Sequence, residues 1–508
     1  MMSNLLVATE KARKTISGAI HRNDRAEIGQ FLTPLATAQF MAGLFERDVE
    51  HVRILDAGAG GGVLFAACVQ AFCSRHPRPK SIKVVAIEND RNMLSHLNDA
   101  IQICRDICQR TGVHFIGTVK EEDFVSFATK QLDEGFFAYN TEKIRFTHAI
   151  LNPPYKKINS RSSVRKMLDF SGHGTSNLYA AFVWLAFKML APGGELVAIT
   201  PRSFCNGPYF KNFRKDLLES TSMKNIHVFK SRDKAFHEDS VLQENIIYHV
   251  IRDASNPKSV IISSTDGIDY SDINKISVPY ENVVIPEDPD YFIHLIQSEK
   301  DLMVMERMKR FAHKLEALGL EVSTGRVVDF RAREFIRQNA GKNTAPLIYP
   351  CHLKNGFVEW PNKEGKKPNA ILDCDETSNL LVQSGYYVLV KRFTAKEERR
   401  RVVASVFDPQ RIKTKLVGFE NHVNYFHVKG KSLSENMAKG LALFLNSSIF
   451  DEYFRLFSGH TQVNATDLRK IRYPSRAELL RLGEHVKTVM PEQDVIDKIL
   501  TEELGLHV

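Results

Sequence analysis

Hydrophobic positions in the first half of the chain fall into two alternating kinds of segment. Short apolar runs lie at 52–55, 83–87, 113–116, 146–151, 195–200, 226–229 and 246–251. Between them, apolar residues recur at helical spacing, as at 63–72, 94–108, 178–190 and 210–218. Runs of four to eight apolar residues bounded by turn residues read as buried strands, and the periodic segments read as helices. Seven strands alternating with helices predict an α/β domain. Its sheet is doubly wound, mostly parallel and seven-stranded, with helices on both faces.

The pattern changes after about residue 250. Residues 252–289 are rich in Asp, Ser, Pro and Asn, which predicts a bridge between domains. Helical spacing resumes at 293–318. Beyond it, basic and aromatic residues interleave at 322–326, 354–357, 387–393, 421–425 and 458–464. The charged run 396–401 reads as a solvated face. The expected organisation is a helical extension at 1–28, an α/β domain at 29–255, a linker at 256–300 and a C-terminal mixed α+β domain at 301–508.

Polar chemistry gathers at the predicted carboxyl ends of the strands, where doubly wound folds bind ligands. After the first strand come Asp56-Ala57-Gly58-Ala59-Gly60-Gly61-Gly62. Glycines there allow close approach of backbone to a ligand and a tight turn into the helix. The second strand ends in Glu88, placed to bond a ribose hydroxyl pair. It lies farther from the glycines than in dinucleotide sites, and Asp56 would repel a pyrophosphate. Both features favour a nucleoside cofactor without phosphates. Asp123 and Phe124, in an acidic turn after the third strand, can bond and stack an adenine.

The fourth strand runs into Asn152-Pro153-Pro154-Tyr155. Two prolines lack backbone N–H groups, so the chain must leave the sheet as a stiff turn. The turn offers a side-chain amide, free carbonyls and an aromatic face, a set that accepts both hydrogens of an exocyclic amine and stacks on its ring. Earlier, Gly29-Gln30-Phe31-Leu32-Thr33-Pro34 reads as a helix start with Thr33 as cap and Pro34 at the first helical position.

Composition adds constraints. Of the 508 residues, 69 are Lys or Arg and 60 are Asp or Glu, a net charge of +9 that suits a polyanionic partner. The seven cysteines form no CxxC pair, and Cys104 and Cys108 read as a buried helix face rather than metal ligands. An odd cysteine count without a secretory signal, and no run apolar enough to span a membrane, predict a cytoplasmic protein.

With its motifs in this order, the chain resembles the gamma-class N6-adenine DNA methyltransferases of type II restriction–modification systems, over roughly residues 25–250. The resemblance implies S-adenosylmethionine as methyl donor and no metal. It places Phe31, Thr33 and Pro34 beside the methionine part, with Asp56, Gly58, Gly60 and Gly62 in the cofactor loop. Glu88 then takes the ribose, and Asp123 and Phe124 take the adenine. Asn152, Pro153, Pro154 and Tyr155 become the catalytic tetrapeptide. Phe236 is the expected second stacking residue on the target base, with Phe229 as the nearby alternative. Ala57 stands where many relatives carry proline. The implied partners are double-stranded DNA, read by the C-terminal domain, and a separate restriction endonuclease. A monomer is expected.

Other readings are weighed against this one. A protein glutamine methyltransferase also uses N-P-P-Y but needs no second half-chain. A type I modification subunit would carry a large helical domain before Gly29. A fused nuclease needs a carboxylate–lysine metal site, and Glu364-Gly365-Lys366 sits in a lysine-rich loop. A regulator without catalysis has no need of an intact tetrapeptide.

Overall fold

The computed structural model describes residues 33–132, 144–159, 161–170, 175–230, 244–252, 255–286, 288–362, 364–394, 398–459 and 461–506. It divides in sequence into two compact units, Met1–Gln297 and Ser298–Val508.

The first unit is built on one sheet. Its strands are β1 (His51–Ala57), β2 (Ser81–Glu88), β3 (His114–Glu121), β4 (Phe146–Leu151), β5 (Leu190–Pro201), β6 (Ser222–Phe229), β7 (Asn245–Ile251), β8 (Ser259–Thr265) and β9 (Asn274–Pro279). They lie in the order β3-β2-β1-β4-β5-β7-β6-β8-β9. Pairing is parallel from β3 to β5, β7 is antiparallel to both of its neighbours, and β8 is parallel to β6. Helices α1 (Leu35–Gly43), α2 (Val63–Cys73), α3 (Leu94–Thr111), α4 (Phe124–Leu132), α5 (Ser163–Phe170), α6 (Leu178–Met189) and α7 (Lys211–Ser220) accompany it.

The seven expected strands are therefore present, but the sheet has nine. Residues 256–297 are not a linker. Val260 and Ile262 of β8 are buried, and β8 pairs with β6 along five residues. The apolar run of β8 is only three residues, Val260-Ile261-Ile262, before Ser263-Ser264-Thr265, too short for a reading based on apolar runs of four or more. Two local expectations also change. Ala191-Pro192-Gly193-Gly194 lies inside β5, where the register against β4 shifts between Phe146 and His148. Thr33 does not cap α1; Pro34 holds that position without a side-chain cap.

Where β4 and β5 pair at His148 and Glu195 lies a buried polar cluster. Glu195 accepts from the Glu46 and Arg47 backbone N–H groups at 3.0 and 2.9 Å, and so ties the chain after α1 to the sheet. His148 and His249 approach it at 3.8 and 3.7 Å, and all three side chains are buried. Burial lowers the His148 pKa to about 4. Cys104 and Cys108 are buried in α3, as their spacing implied.

The second unit is α+β. After a helix at Glu299–Lys309 come a six-stranded and a five-stranded sheet, followed by helices at Glu435–Leu445, Ser448–Phe457, Ala465–Lys470, Arg476–Glu484 and Gln493–Leu504. The first and fourth of these last five helices cross at two glycines. A Cβ on Gly440 would stand 1.8 Å from the Leu479 carbonyl oxygen, and one on Gly483 would stand 2.0 Å from that of Asn436. Parts of the segments where basic and aromatic residues interleave are core. Asn424 and Tyr425 are buried in the strand Val423–His427. Arg401, expected on a solvated face, is 2% exposed and donates to Thr394 and Ser458.

Among the described residues no helix is long and apolar enough to cross a membrane, and no group of three or more His, Cys, Asp or Glu side chains could hold a metal ion.

Candidate functional site

The carboxyl ends of β1, β2 and β4 open onto a cavity of about 460 Å³, within the range of small-molecule sites. Gly58, Gly60, Glu88, Asp123, Phe124, Asn152, Pro154 and Thr33 all line it. Residues from five separate stretches of sequence thus share one wall because parallel strands end on the same side of the sheet.

The glycine loop is stitched to the second strand. Gly58 and Ala59 both donate to the Ile87 carbonyl, at 2.9 and 3.1 Å. Gly62 opens α2 at φ +81°, and a Cβ there would lie 2.7 Å from the Phe65 ring and 2.8 Å from Ala100. Only glycine satisfies both the dihedral and the packing. Asp56 stands behind this loop rather than on the cavity wall. It is fully buried, and its Oδ2 accepts from the Phe65 N–H in the first turn of α2 at 3.2 Å. Oδ1 has no partner. Burial, aided by the nearby Glu88 charge, raises the carboxyl to about 8, so it carries a proton at neutral pH.

Glu88 is held by the backbone. Its Oε1 accepts from Asn89 and Asp90 N–H, both at 2.9 Å, and Oε2 accepts from Gly60 N–H at 2.8 Å. A carboxylate has about four acceptor sites, so Oε2 keeps room for one further donor. Asp123 Oδ1 caps α4 through the Ser126 N–H at 2.8 Å. The adjacent Phe124 ring packs on Phe182 at 4.9 Å.

The tetrapeptide is fixed from two directions. The Asn152 Nδ2 donates to Thr33 Oγ1 at 3.0 Å, and Asn152 Oδ1 accepts from the Tyr155 hydroxyl at 3.0 Å. That hydroxyl also lies 3.3 Å from the Ile199 carbonyl oxygen. Burial raises the Tyr155 pKa well above its ordinary value, so it remains a phenol and a donor. Its ring meets Tyr179 edge-on at 6.3 Å, and Tyr179 bonds Ser203 at 3.0 Å and stacks on Phe210.

Sequence reasoning missed Lys156, Leu178 and Phe182 on the wall and Tyr179 behind Tyr155. Phe182 and Tyr179 belong to α6, which is apolar nearly all round, so no period singles them out. Phe31 and Phe236 lie outside the described residues. Phe229 is 3% exposed at the end of β6 and packs edge-on against His227.

A family described as Eco57I restriction-modification methylase matches residues 84–236. The chain is 42% identical over 503 residues to the type II methyltransferase M.PstI of Providencia stuartii, covering 99% of this chain and 98% of that protein. It is 42% identical over 486 residues to M.BsuBI of Bacillus subtilis, covering 96% and 95%. Among solved structures, the type IIL restriction-modification enzyme MmeI in complex with DNA matches 100% of this chain and 74% of its own at 11% identity and a TM-score of 0.53, a likeness of fold. Identity of 42% along almost the full length of two relatives decides the family: the chain belongs to the type II DNA methyltransferases of restriction–modification systems.

Proposed function

We propose that this methyltransferase acts on N6 of an adenine flipped out of double-stranded DNA, at a site whose modification blocks a separate restriction endonuclease. The observation that carries the reading is Asn152, oriented by Thr33 and Tyr155, on the same cavity wall as Glu88.

The cavity fits S-adenosylmethionine by its donor set. Oε2 of Glu88 has capacity for a ribose hydroxyl, Asp123 Oδ2 for an adenine amine, and Phe124 and Phe182 offer an apolar slot. When bound, the cofactor supplies a methyl group on a cationic sulfur. Phe31, Thr33 and Pro34 would border its methionine part, with Gly58, Gly60 and Gly62 shaping the loop.

The adenine N6 lone pair is delocalised into the ring. Asn152 Oδ1 and the Pro153 carbonyl accept the two N6 hydrogens and so localise that electron pair on nitrogen. Displacement then depends on position and polarity rather than on a strong base. Flipping costs a few kcal/mol, and stacking on Tyr155, with Phe236 as the second ring, offsets about 1–3 kcal/mol per base. The second unit reads the target, and the enzyme works as a monomer in the cytoplasm.

Incubation with labelled S-adenosylmethionine and plasmid DNA, followed by nucleoside analysis, tests the reading. N6-methyladenine is the expected product. A methylated cytosine, or label on protein glutamine alone, overturns it.

A further inference from the structure

The second unit holds a turn, residues 328–337, that is anchored to the core and carries an exposed apolar tip. Val327 and Ala332 are buried in one hydrophobic cluster with Leu347 and Tyr349. Between them the backbone closes tightly: Arg331 and Ala332 N–H both donate to the Val328 carbonyl, at 2.9 and 3.0 Å. Asp329 pins the turn from below, accepting from the buried Tyr349 hydroxyl at 2.8 Å and from Lys367 at 3.2 Å.

What this anchored turn holds outward is Phe330, 76% exposed. Phenylalanine has no polar handle, so an exposed ring forgoes its burial free energy with nothing in return from water. Arg331 lies over the ring at 5.5 Å. Arg331, Arg333 and Arg337 are all exposed, against two acids in the same turn, Glu334 and the Asp329 that is bonded to Tyr349 and Lys367. No ion pair among the described residues engages these three arginines. Arg337 bonds only backbone carbonyls, those of Glu334 and Ile336. An apolar tip flanked by unpaired guanidinium groups on a rigid support matches a polyanion that also offers flat apolar faces. Duplex DNA has both, and Phe is among the side chains that wedge between base steps.

We infer that the 328–337 turn docks on the target duplex, with Phe330 inserted against the bases and Arg331 and Arg333 on the flanking phosphates. The inference rests on the DNA reading above and assigns part of that recognition to named residues. The wedge contributes where bases are seen, and the arginines contribute wherever phosphates are.

The test is fluorescence anisotropy of the full-length protein on a short labelled duplex. The duplex carries the site mapped by sequencing modified adenines, and a salt series is run for each variant. Arg331→Ala and Arg333→Ala should each lower the slope of log affinity against log salt by about one. Phe330→Ala should keep the slope and weaken binding by about tenfold or more, and Phe330→Trp should restore it. Cofactor affinity and melting temperature should hold in every variant. If the parent protein binds no duplex, the DNA reading itself fails. If it binds and the Phe330 and arginine variants match it, this inference alone fails. Loss of a protein partner with unchanged duplex affinity would also overturn it.

Discussion

Asn152 and Thr33, 119 positions apart in sequence, are joined by one hydrogen bond of 3.0 Å from amide to hydroxyl. The bond fixes which end of the Asn152 amide faces Tyr155, and therefore where its oxygen points. Asn152→Ala should reduce single-turnover methylation by about 10²–10³, as for loss of one oriented polar group. Thr33→Val should cost about tenfold, since Tyr155 still holds the oxygen end. Duplex affinity should change by less than about tenfold in both, because phosphate contacts dominate it. Full activity in Asn152→Ala would refute the assignment.

Glu88 links the cofactor cavity to its own loop through the Gly60 N–H. Glu88→Ala should weaken S-adenosylmethionine binding by about 1.5–3 kcal/mol, the range for hydrogen bonds to a charged group. Calorimetry showing unchanged affinity in a folded variant would remove Glu88 from the site.

Gly62→Ala meets a positive φ and two neighbours inside 3 Å, so it should destabilise the fold by about 1–3 kcal/mol. Gly43→Ala is the control. It sits at the end of α1 with nothing within 4 Å of its Cβ, and should be neutral or stabilising by up to about 1 kcal/mol. Thermal melting separates the two.

The parts of the fold legible in the sequence were those whose burial leaves a local mark. The runs around Ile54, Val85, Ile150 and Val197 are apolar because their strands are covered on both faces, and all four residues are buried in the core. Glu88 and Asn152 were legible because each ends such a run. Residues 259–265 escaped because β8 carries only three consecutive apolar residues, Val260-Ile261-Ile262, followed by buried Ser263, Ser264 and Thr265. Arg401 and Tyr425 escaped for another reason. Their burial is decided by partners distant in sequence, such as Ser458 for Arg401, and nothing local announces it. Phe330 is the converse, an apolar residue that composition would place inside.

The buried histidines predict acid sensitivity. His148 falls from an ordinary value of 6.5 to about 4, chiefly through burial. The Glu195 charge opposes the shift, and Arg75, Arg47 and His249 reinforce it. A depressed value means the unfolded chain binds more protons between those limits. The His148 contribution is therefore complete above pH 6.5 and is lost as pH falls toward 4, on the order of 3 kcal/mol in all. His227 and His294 shift in the same direction, also to about 4. Denaturant midpoints should drop steeply across that window, and His148→Phe should flatten the drop. An equal slope in the variant would assign the sensitivity elsewhere.

The two outer strands have a practical meaning for anyone dividing the molecule. A fragment ending at 255 would strip β8 from β6 and leave a long row of unpaired amide and carbonyl groups flanked by Ile226, Val228 and Phe229. Such a bare, apolar margin recruits other chains and drives self-association. β9, by contrast, ends the sheet in a short strand with Lys275 and Pro279 at its exposed positions, the side chains that discourage strand-to-strand templating. Solubility of an isolated catalytic half is thus set at its far border, many residues away from any group that touches substrate.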